Sequence, residues 1–206
     1  MKNIPSIAII GGGFCGAATL IQLVRQSELP LNIVLINKEN QIPKGLAYSS
    51  FNERHVLNVP AGKMSIFPEE PDHFINWIRS KKEYHIFADD ELPDTFIPRV
   101  IYGKYLEEIF NDTISNLPDH ISVNIINDEA VDIDLSDSGN SVKLKSGSEI
   151  FADKIVLAIG NFLPDNPKIR DNSFYNSEKY FQNPWNRKAV EGLKDNDNVL
   201  IIGTGL

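Results

Sequence analysis

The feature that most constrains the fold is a glycine-rich turn near the start of the chain, in the stretch SIAIIGGGFCGAATLIQLV. Gly11, Gly13 and Gly16 are spaced as G-x-G-x-x-G, between a short β-branched run at residues 7–10 and a segment with helical spacing. In this pattern the first glycine permits a tight turn, the second lets a pyrophosphate approach and the third lets helix and strand pack closely. The free N–H groups at the start of the helix then predict a phosphate-binding site; the alternative is a turn that binds nothing.

A second apolar run at residues 33–36 completes a strand, turn, helix and strand, which predicts a βαβ unit. An acidic residue is expected after this second strand, where it would bind ribose hydroxyl groups. Here Asn37 follows the strand directly and Glu39 comes two positions later. An amide can also hydrogen-bond a diol, without the assistance of a charge. Both residues remain candidates, and neither selects FAD over NAD.

The rest of the chain predicts a larger α/β domain. Residues 40–71 are irregular and too long for an ordinary linker, and PDHFINWIRS and IYGKYLEEIFNDTISNL have helical spacing. Alternation then predicts a three-stranded antiparallel meander from ISVNIIN, EAVDIDLS and SVKLKSG, and KIVLAIGN predicts a strand in the interior of a parallel sheet. We therefore expect a three-layer Rossmann-like fold, with a parallel sheet, a βαβ start and a β-meander insertion.

Composition restricts the partners and the compartment. The 206 residues carry a net charge of -8 without a cluster of Lys and Arg, which argues against nucleic acid or an anionic membrane as a partner. The single cysteine, Cys15, excludes an internal disulfide and fits a reducing cytoplasm. Three consecutive glycines interrupt the apolar N-terminal run, so we do not interpret it as a signal peptide. The prediction is a cytoplasmic protein that acts on a small molecule.

The order of elements favours FAD at the first turn, because an NAD-binding half would continue with regular β-α alternation. The stretches KGLAYSSFNERHVLNVPAGKMSIFPEEPDHFINWI and PRVIYGKYLEEI resemble a family of FAD/NAD(P)-binding oxidoreductases related to flavin-containing monooxygenases. The resemblance covers essentially the whole chain. It implies FAD as the cofactor, NAD(P)H as the reductant of the full-length protein, and an oxidoreductase activity that includes monooxygenation.

The resemblance also implies roles for individual residues. The glycine turn would hold the FAD pyrophosphate, Val131 would meet the adenine through its backbone, and Gly160 would end a strand beside the cofactor. The cofactor-binding residues implied in this first domain are Gly11, Gly13, Phe14, Gly16, Asn37, Glu39, Asn58, Met64, Val131 and Gly160.

Asn58 is the one candidate for a catalytic role. It lies in LNVPAGKMS, which resembles the segment that passes the isoalloxazine ring of the monooxygenases. An amide can donate a hydrogen bond to a flavin carbonyl and accept one from a reduced ring N–H. The alternative is a loop asparagine that stabilises its own turn beside Pro60 and Gly62.

The final stretch, NVLIIGTGL, repeats the strand and G-x-G pattern. It predicts the first strand and turn of a second, NAD(P)-binding Rossmann domain, with Gly203 and Gly205 as its glycines. We therefore expect an FAD-binding domain at residues 1–195 and the truncated start of the second domain at 196–206. Such a piece would not be a complete enzyme, and its apolar end would promote self-association. Two alternatives remain: a nucleotide-binding scaffold or regulator without redox turnover, and a Rossmann enzyme without flavin, such as a methyltransferase or an NAD-dependent dehydrogenase.

Overall fold

The computed structural model describes residues 4–38, 42–50, 52–136, 139–162, 165–183 and 186–203. The chain divides into two compact units, Met1–Gly160 and Asn161–Leu206. The strands are β1 (Ser6–Ile10), β2 (Leu31–Asn37), β3 (Ile121–Asn127), β4 (Ala130–Ser136), β5 (Gly139–Leu144), β6 (Glu149–Ala152) and β7 (Lys154–Leu157), and the α-helices are α1 (Phe14–Gln26), α2 (Gly45–Tyr48), α3 (His73–Ser80) and α4 (Arg99–Ser115).

A four-stranded parallel sheet forms the centre of the first unit. Its order is β3-β2-β1-β7, with Ile10 paired to Ile36 on one side and to Leu157 on the other. Because all four strands are parallel, their carboxyl ends lie at the same edge of the sheet. Chain segments that follow β1, β2 and β7 therefore meet there, and this edge is where a Rossmann-like fold binds its ligand.

The two faces of the sheet are covered by different layers. Alternate side chains such as Ile9 and Leu35 pack into one core cluster with α1, α3 and α4. Their neighbours Ile10 and Ile36 pack into a second cluster with Val142 and other residues of β5 and β6. Since successive side chains of a strand point to opposite faces, the arrangement is helices, sheet and meander. The predicted three-layer fold is confirmed.

One strand of the predicted meander belongs elsewhere. ISVNIIN forms β3, which pairs in parallel with β2 from Leu31 opposite Ile121 to Asn37 opposite Asn127. The antiparallel meander is β4-β5-β6, so its third strand comes from Glu149–Ala152. The prediction was wrong because alternation reports which face of a strand is buried and carries no information about its partner strand. The preceding helix α4 returns the chain so that β3 extends the parallel sheet.

Two further strand predictions need correction. β7 was expected in the interior of the sheet but is an edge strand among the described residues, and 61% of Leu157 is exposed. Residues 198–203 were expected to form a strand, yet none is assigned there. Among the described residues, no strand pairs with this run, and Leu200 is 85% exposed. The domain boundary at 195/196 stays a prediction.

The long irregular segment is packed rather than solvated. It contains α2 and a 3-10 turn at Ala61–Lys63, and Leu57, Ile66 and Phe67 are buried in the helix-side cluster. Val59 and Met64 are half-buried. These apolar residues hold the segment against the helical layer, and a contact of the segment with a flavin stays a prediction. Among the described residues, no helix has the length and apolar character needed to cross a membrane.

Candidate functional site

The glycine turn lies at the carboxyl end of β1, between β2 and β7. The Gly11 N–H donates to the Ile36 carbonyl at 2.8 Å, and the Ala158 N–H donates to the Ile10 carbonyl at the same distance. Gly11 has φ +103°, and a Cβ there would lie 2.2 Å from the Ala158 carbonyl oxygen. Both the backbone conformation and the neighbouring strand therefore require glycine at this position.

Helix α1 begins directly on this turn. A Cβ added to Gly16 would lie 1.8 Å from the carbonyl oxygen of Gly11. Helix α1 can therefore pack this closely against the glycine turn only with a glycine at position 16. Phe14 is the first helical residue and is half-buried. The position of Gly16 matches the packing role of the third glycine in the pattern.

Gly13 differs from its two partners because the protein itself leaves room for a side chain. It is the N-cap of α1 with φ -71°, and an added Cβ would meet only the Cα of Gly45, at 3.5 Å. No described side chain caps α1, and its first turn contains no acidic residue. A helix start without a capping side chain or an acidic residue in its first turn suits a phosphate. The residues present fit a dinucleotide pyrophosphate.

Asn37 is the last residue of β2, and its side chain supports the turn. Its Oδ1 accepts a hydrogen bond from the Gly12 N–H at 2.8 Å. Gly12 is buried, and a Cβ there would approach the Asn37 Cγ to 3.0 Å and the Ile42 Cγ1 to 2.6 Å. The amide thus fixes the turn on one side, at the position where an acid was expected. Glu39, the other candidate, lies outside the described residues.

The segment after β2 lies over the start of α1, which the sequence reasoning missed. Gly45 has φ +54°, and a Cβ there would lie 3.0 Å from the Cα of Gly13. The Tyr48 ring meets Phe14 edge-on at 5.6 Å between centroids and Tyr102 at 4.7 Å. In the sequence, the one sign of this contact is the glycine in PKGLAYS, Gly45. A glycine alone does not indicate that the chain passes close to Gly13 there.

Arg99, at the start of α4, holds this segment in place and was also missed. Its Nε donates to the Val56 carbonyl at 3.0 Å, and a terminal guanidinium nitrogen donates to the Ala47 carbonyl at 3.4 Å. Its backbone N–H donates to the His55 carbonyl at 2.8 Å. Partial burial and the Arg99 charge together lower the pKa of His55. Burial raises the pKa of Tyr48, and the Arg99 charge opposes that rise.

The remaining predicted residues are spread over several elements. Asn58 is exposed on the long segment, Met64 packs against the helix-side cluster, and 59% of Val131 is exposed on β4. Gly160 follows β7 with φ +73°, and Gly203 lies in the second unit with φ +83°. Gly205 is outside the described residues. The structure brings the glycine turn, Phe14 and Asn37 together, while cofactor contacts of the other residues stay predictions.

Comparison with known proteins agrees with this geometry. A family described as FAD-NAD(P)-binding matches residues 8–162, which is most of the chain. This match confirms the family resemblance seen in the sequence, and with it FAD and NAD(P) as the cofactors of that family. The search of curated proteins found no match.

The solved structures with a similar fold include two monooxygenases and an S-oxygenase. Cyclohexanone monooxygenase in its closed form is 18% identical with a TM-score of 0.51, covering 80% of this chain and 28% of that one. S-allyl-L-cysteine S-oxygenase from Allium sativum is 17% identical with a TM-score of 0.51, covering 78% and 37%. A flavin-containing monooxygenase from Stenotrophomonas maltophilia is 20% identical with a TM-score of 0.50, covering 75% and 38%. The chain spans less than two fifths of the length of each.

Proposed function

Because the chain belongs to the FAD-NAD(P)-binding family, we propose that its glycine turn binds the pyrophosphate of FAD. The chain would then be the FAD-binding part of an NAD(P)H-dependent flavoprotein oxidoreductase with monooxygenase-like chemistry on a small molecule in the cytoplasm. When bound, FAD would supply the ability to take up electrons from NAD(P)H and pass them to oxygen or a substrate.

The observation that carries this proposal is that Gly13, unlike Gly11 and Gly16, is a glycine that contacts within the protein do not require. Gly11 and Gly16 are required by contacts within the protein, at 2.2 Å and 1.8 Å from an added Cβ. At Gly13 an added Cβ would make only an ordinary 3.5 Å contact. A glycine that folding does not require, at the uncapped start of a helix, fits a site where a phosphate approaches the backbone.

Other residues of the chain would serve the same cofactor. Asn37, already bonded to Gly12 through its oxygen, would present its amide N–H to the ribose. The exposed Asn58 would contact the isoalloxazine edge, and Val131 would contact the adenine. Gly203 and Gly205 would begin an NAD(P)-binding turn.

A titration of the purified chain with FAD tests the proposal, with flavin fluorescence as the signal. Gly13→Val should weaken FAD binding about tenfold or more, because its side chain would occupy the space of the pyrophosphate. Thr19→Val is the matched control, since Thr19 lies in the next turn of α1 and its hydroxyl donates to the Cys15 carbonyl of the same helix. This control should bind FAD as the wild type does.

Circular dichroism must show that both variants are folded. Equal FAD affinity of Gly13→Val and the wild type would contradict the assignment of the turn. A folded wild type that binds NADH but not FAD would favour the Rossmann enzyme without flavin. Oxygen-dependent oxidation of NADPH by the protein would separate an oxidoreductase from a nucleotide-binding scaffold.

A further inference from the structure

Redox-active aromatic rings form a continuous series through the helical layer, starting beside the glycine turn. Ring centroids are 4.7 Å apart for Tyr48 and Tyr102, and 5.5 Å apart for Tyr102 and Tyr105. The series continues from Tyr105 to Trp77 at 5.5 Å and from Trp77 to Tyr84 at 5.7 Å. Tyrosine and tryptophan are the protein side chains that most readily give up a single electron. Rings at these separations are in or near contact, so an oxidised state can move from one to the next.

Tyr105 is the ring in this series that has a base beside it. Its ring is fully buried, and its hydroxyl lies 2.9 Å from Nδ1 of His73. The backbone N–H of Ile66 donates to the same phenol oxygen at 3.4 Å, and the Ser65 hydroxyl also bonds the phenol. We assign the phenol proton to the bond with His73, because an imidazole nitrogen is a stronger base than a hydroxyl oxygen.

Both partners are in the protonation state that proton transfer requires. Burial raises the pKa of Tyr105 to about 12, so the phenol carries its proton at neutral pH. Burial also lowers the pKa of His73, so the imidazole is neutral and can accept a proton. The nearby Glu70 carboxylate favours the charged imidazole, and the Arg25 guanidinium opposes it.

The other rings beyond Tyr105 lack an outlet for a proton or for positive charge. The Trp77 indole N–H and the Tyr84 hydroxyl are buried without a hydrogen-bond partner among the described residues. The ammonium of Lys81 lies 5.3 Å from the centre of the Trp77 ring. An oxidised phenol is a strong acid and an oxidised indole is a cation, so neither is stabilised at these two positions.

We propose that Tyr105 and His73 form a redox-active pair that collects oxidising equivalents arriving through Tyr48 and Tyr102. A one-electron oxidant, such as an oxygen-derived radical near the glycine turn, removes one electron from Tyr105 through these rings. The phenol proton moves to Nδ1 of His73, which leaves a neutral tyrosyl radical beside an imidazolium. One electron from a thiol reductant and return of the proton restore the phenol. The biological source of the oxidant rests on the proposed function; the chemistry of the pair does not.

The single cysteine gives a way to deliver an oxidant at the correct end of the series. Cys15 is exposed and next to Phe14, which contacts the Tyr48 ring. A ruthenium polypyridyl photosensitiser attached to Cys15, with a cobalt(III) pentaammine complex as irreversible electron acceptor, produces a one-electron oxidant there after a laser flash. Transient absorption and electron paramagnetic resonance then detect a tyrosyl radical without any flavin present.

In the wild type we expect a long-lived tyrosyl radical whose formation is slower in D2O, because a proton moves with the electron. Tyr105→Phe should lose most of this signal, while Tyr84→Phe, the control, should keep it. His73→Gln keeps an acceptor oxygen for the phenol but lacks a basic nitrogen. It should form much less radical and lose the solvent isotope effect.

The absence of a radical in the wild type would overturn the proposal, as would an unchanged signal in Tyr105→Phe. A yield and isotope effect unaffected by His73→Gln would do the same. Circular dichroism and thermal melting identify any variant that is misfolded. For such a variant, the wild type with ring deuterons at Tyr105 alone replaces the substitution. A changed electron paramagnetic resonance spectrum of the labelled protein then places the radical on Tyr105. Because the sensitiser replaces the cofactor, failure here leaves the FAD titration unaffected.

Discussion

The side-chain oxygen of Asn37 accepts a hydrogen bond from the backbone N–H of Gly12 at 2.8 Å, which joins the end of β2 to the turn that follows β1. The residue expected to face a ribose is therefore part of the scaffold of the turn. A buried N–H that loses its acceptor incurs the cost of desolvation, about 1–3 kcal/mol. The turn and the end of β2 thus form a single structural unit.

Asn37→Ala should lower the free energy of unfolding by about 1–3 kcal/mol, because it leaves the buried Gly12 N–H without its acceptor. Asn37→Asp keeps an oxygen at this position and should remain closer to the wild type. Urea denaturation at pH 7 measures both. Equal stability of Asn37→Ala and the wild type would show that the bond contributes nothing.

Gly11→Ala should destabilise the chain more than Gly147→Ala. Both glycines have positive φ, +103° and +92°, so alanine costs about 1–3 kcal/mol in backbone strain at either position. Only at Gly11 would the new Cβ also collide with a backbone oxygen, since nothing lies within 4 Å at Gly147. This collision adds about 1–3 kcal/mol. Similar losses of stability for the two variants in urea denaturation would contradict the close contact between Gly11 and the Ala158 carbonyl.

Acidification should weaken the fold through His73. Burial lowers its pKa in the folded state below the unfolded value of 6.5. Below pH 6.5 the unfolded chain therefore binds more protons than the folded chain, and stability falls until the pH is below the folded pKa. His55 shifts in the same direction, so His73→Gln isolates the effect. The wild type should lose more stability than His73→Gln between pH 7.5 and 5; equal losses would exclude a role for His73.

Arg99→Met should loosen the segment that covers the glycine turn, because it removes the bonds to Val56 and Ala47. Limited proteolysis should cut within residues 45–57 faster than in the wild type. Added FAD should also slow this cleavage less in the variant than in the wild type. Arg54→Met is the control, since Arg54 is exposed on the same segment. Equal cleavage of the two variants would show that Arg99 does not hold the segment.

The elements that depend on residue patterns close together in the chain could be predicted from the sequence. The spacing of Gly11, Gly13 and Gly16 with an apolar strand on each side was enough to place β1, α1 and β2. It could not show that Gly45 crosses Gly13, because this contact joins two residues far apart in sequence through their backbones alone. The role of Asn37 was missed for a similar reason: its residue type allowed a ribose contact, and only the bond to Gly12 shows its structural function.

The last prediction concerns the apolar run near the end of the chain. Val199, Leu200, Ile201 and Ile202 are between 50% and 85% exposed, and no strand is assigned to them. Four consecutive exposed apolar residues can pair between two copies of the chain, since unprotected strands of this composition associate. Removal of residues 196–206 should therefore give a more monomeric protein in light scattering, with an unchanged melting temperature for the first unit. The contrary result, a lower melting temperature with unchanged association, would mean that this run is an integral part of the fold.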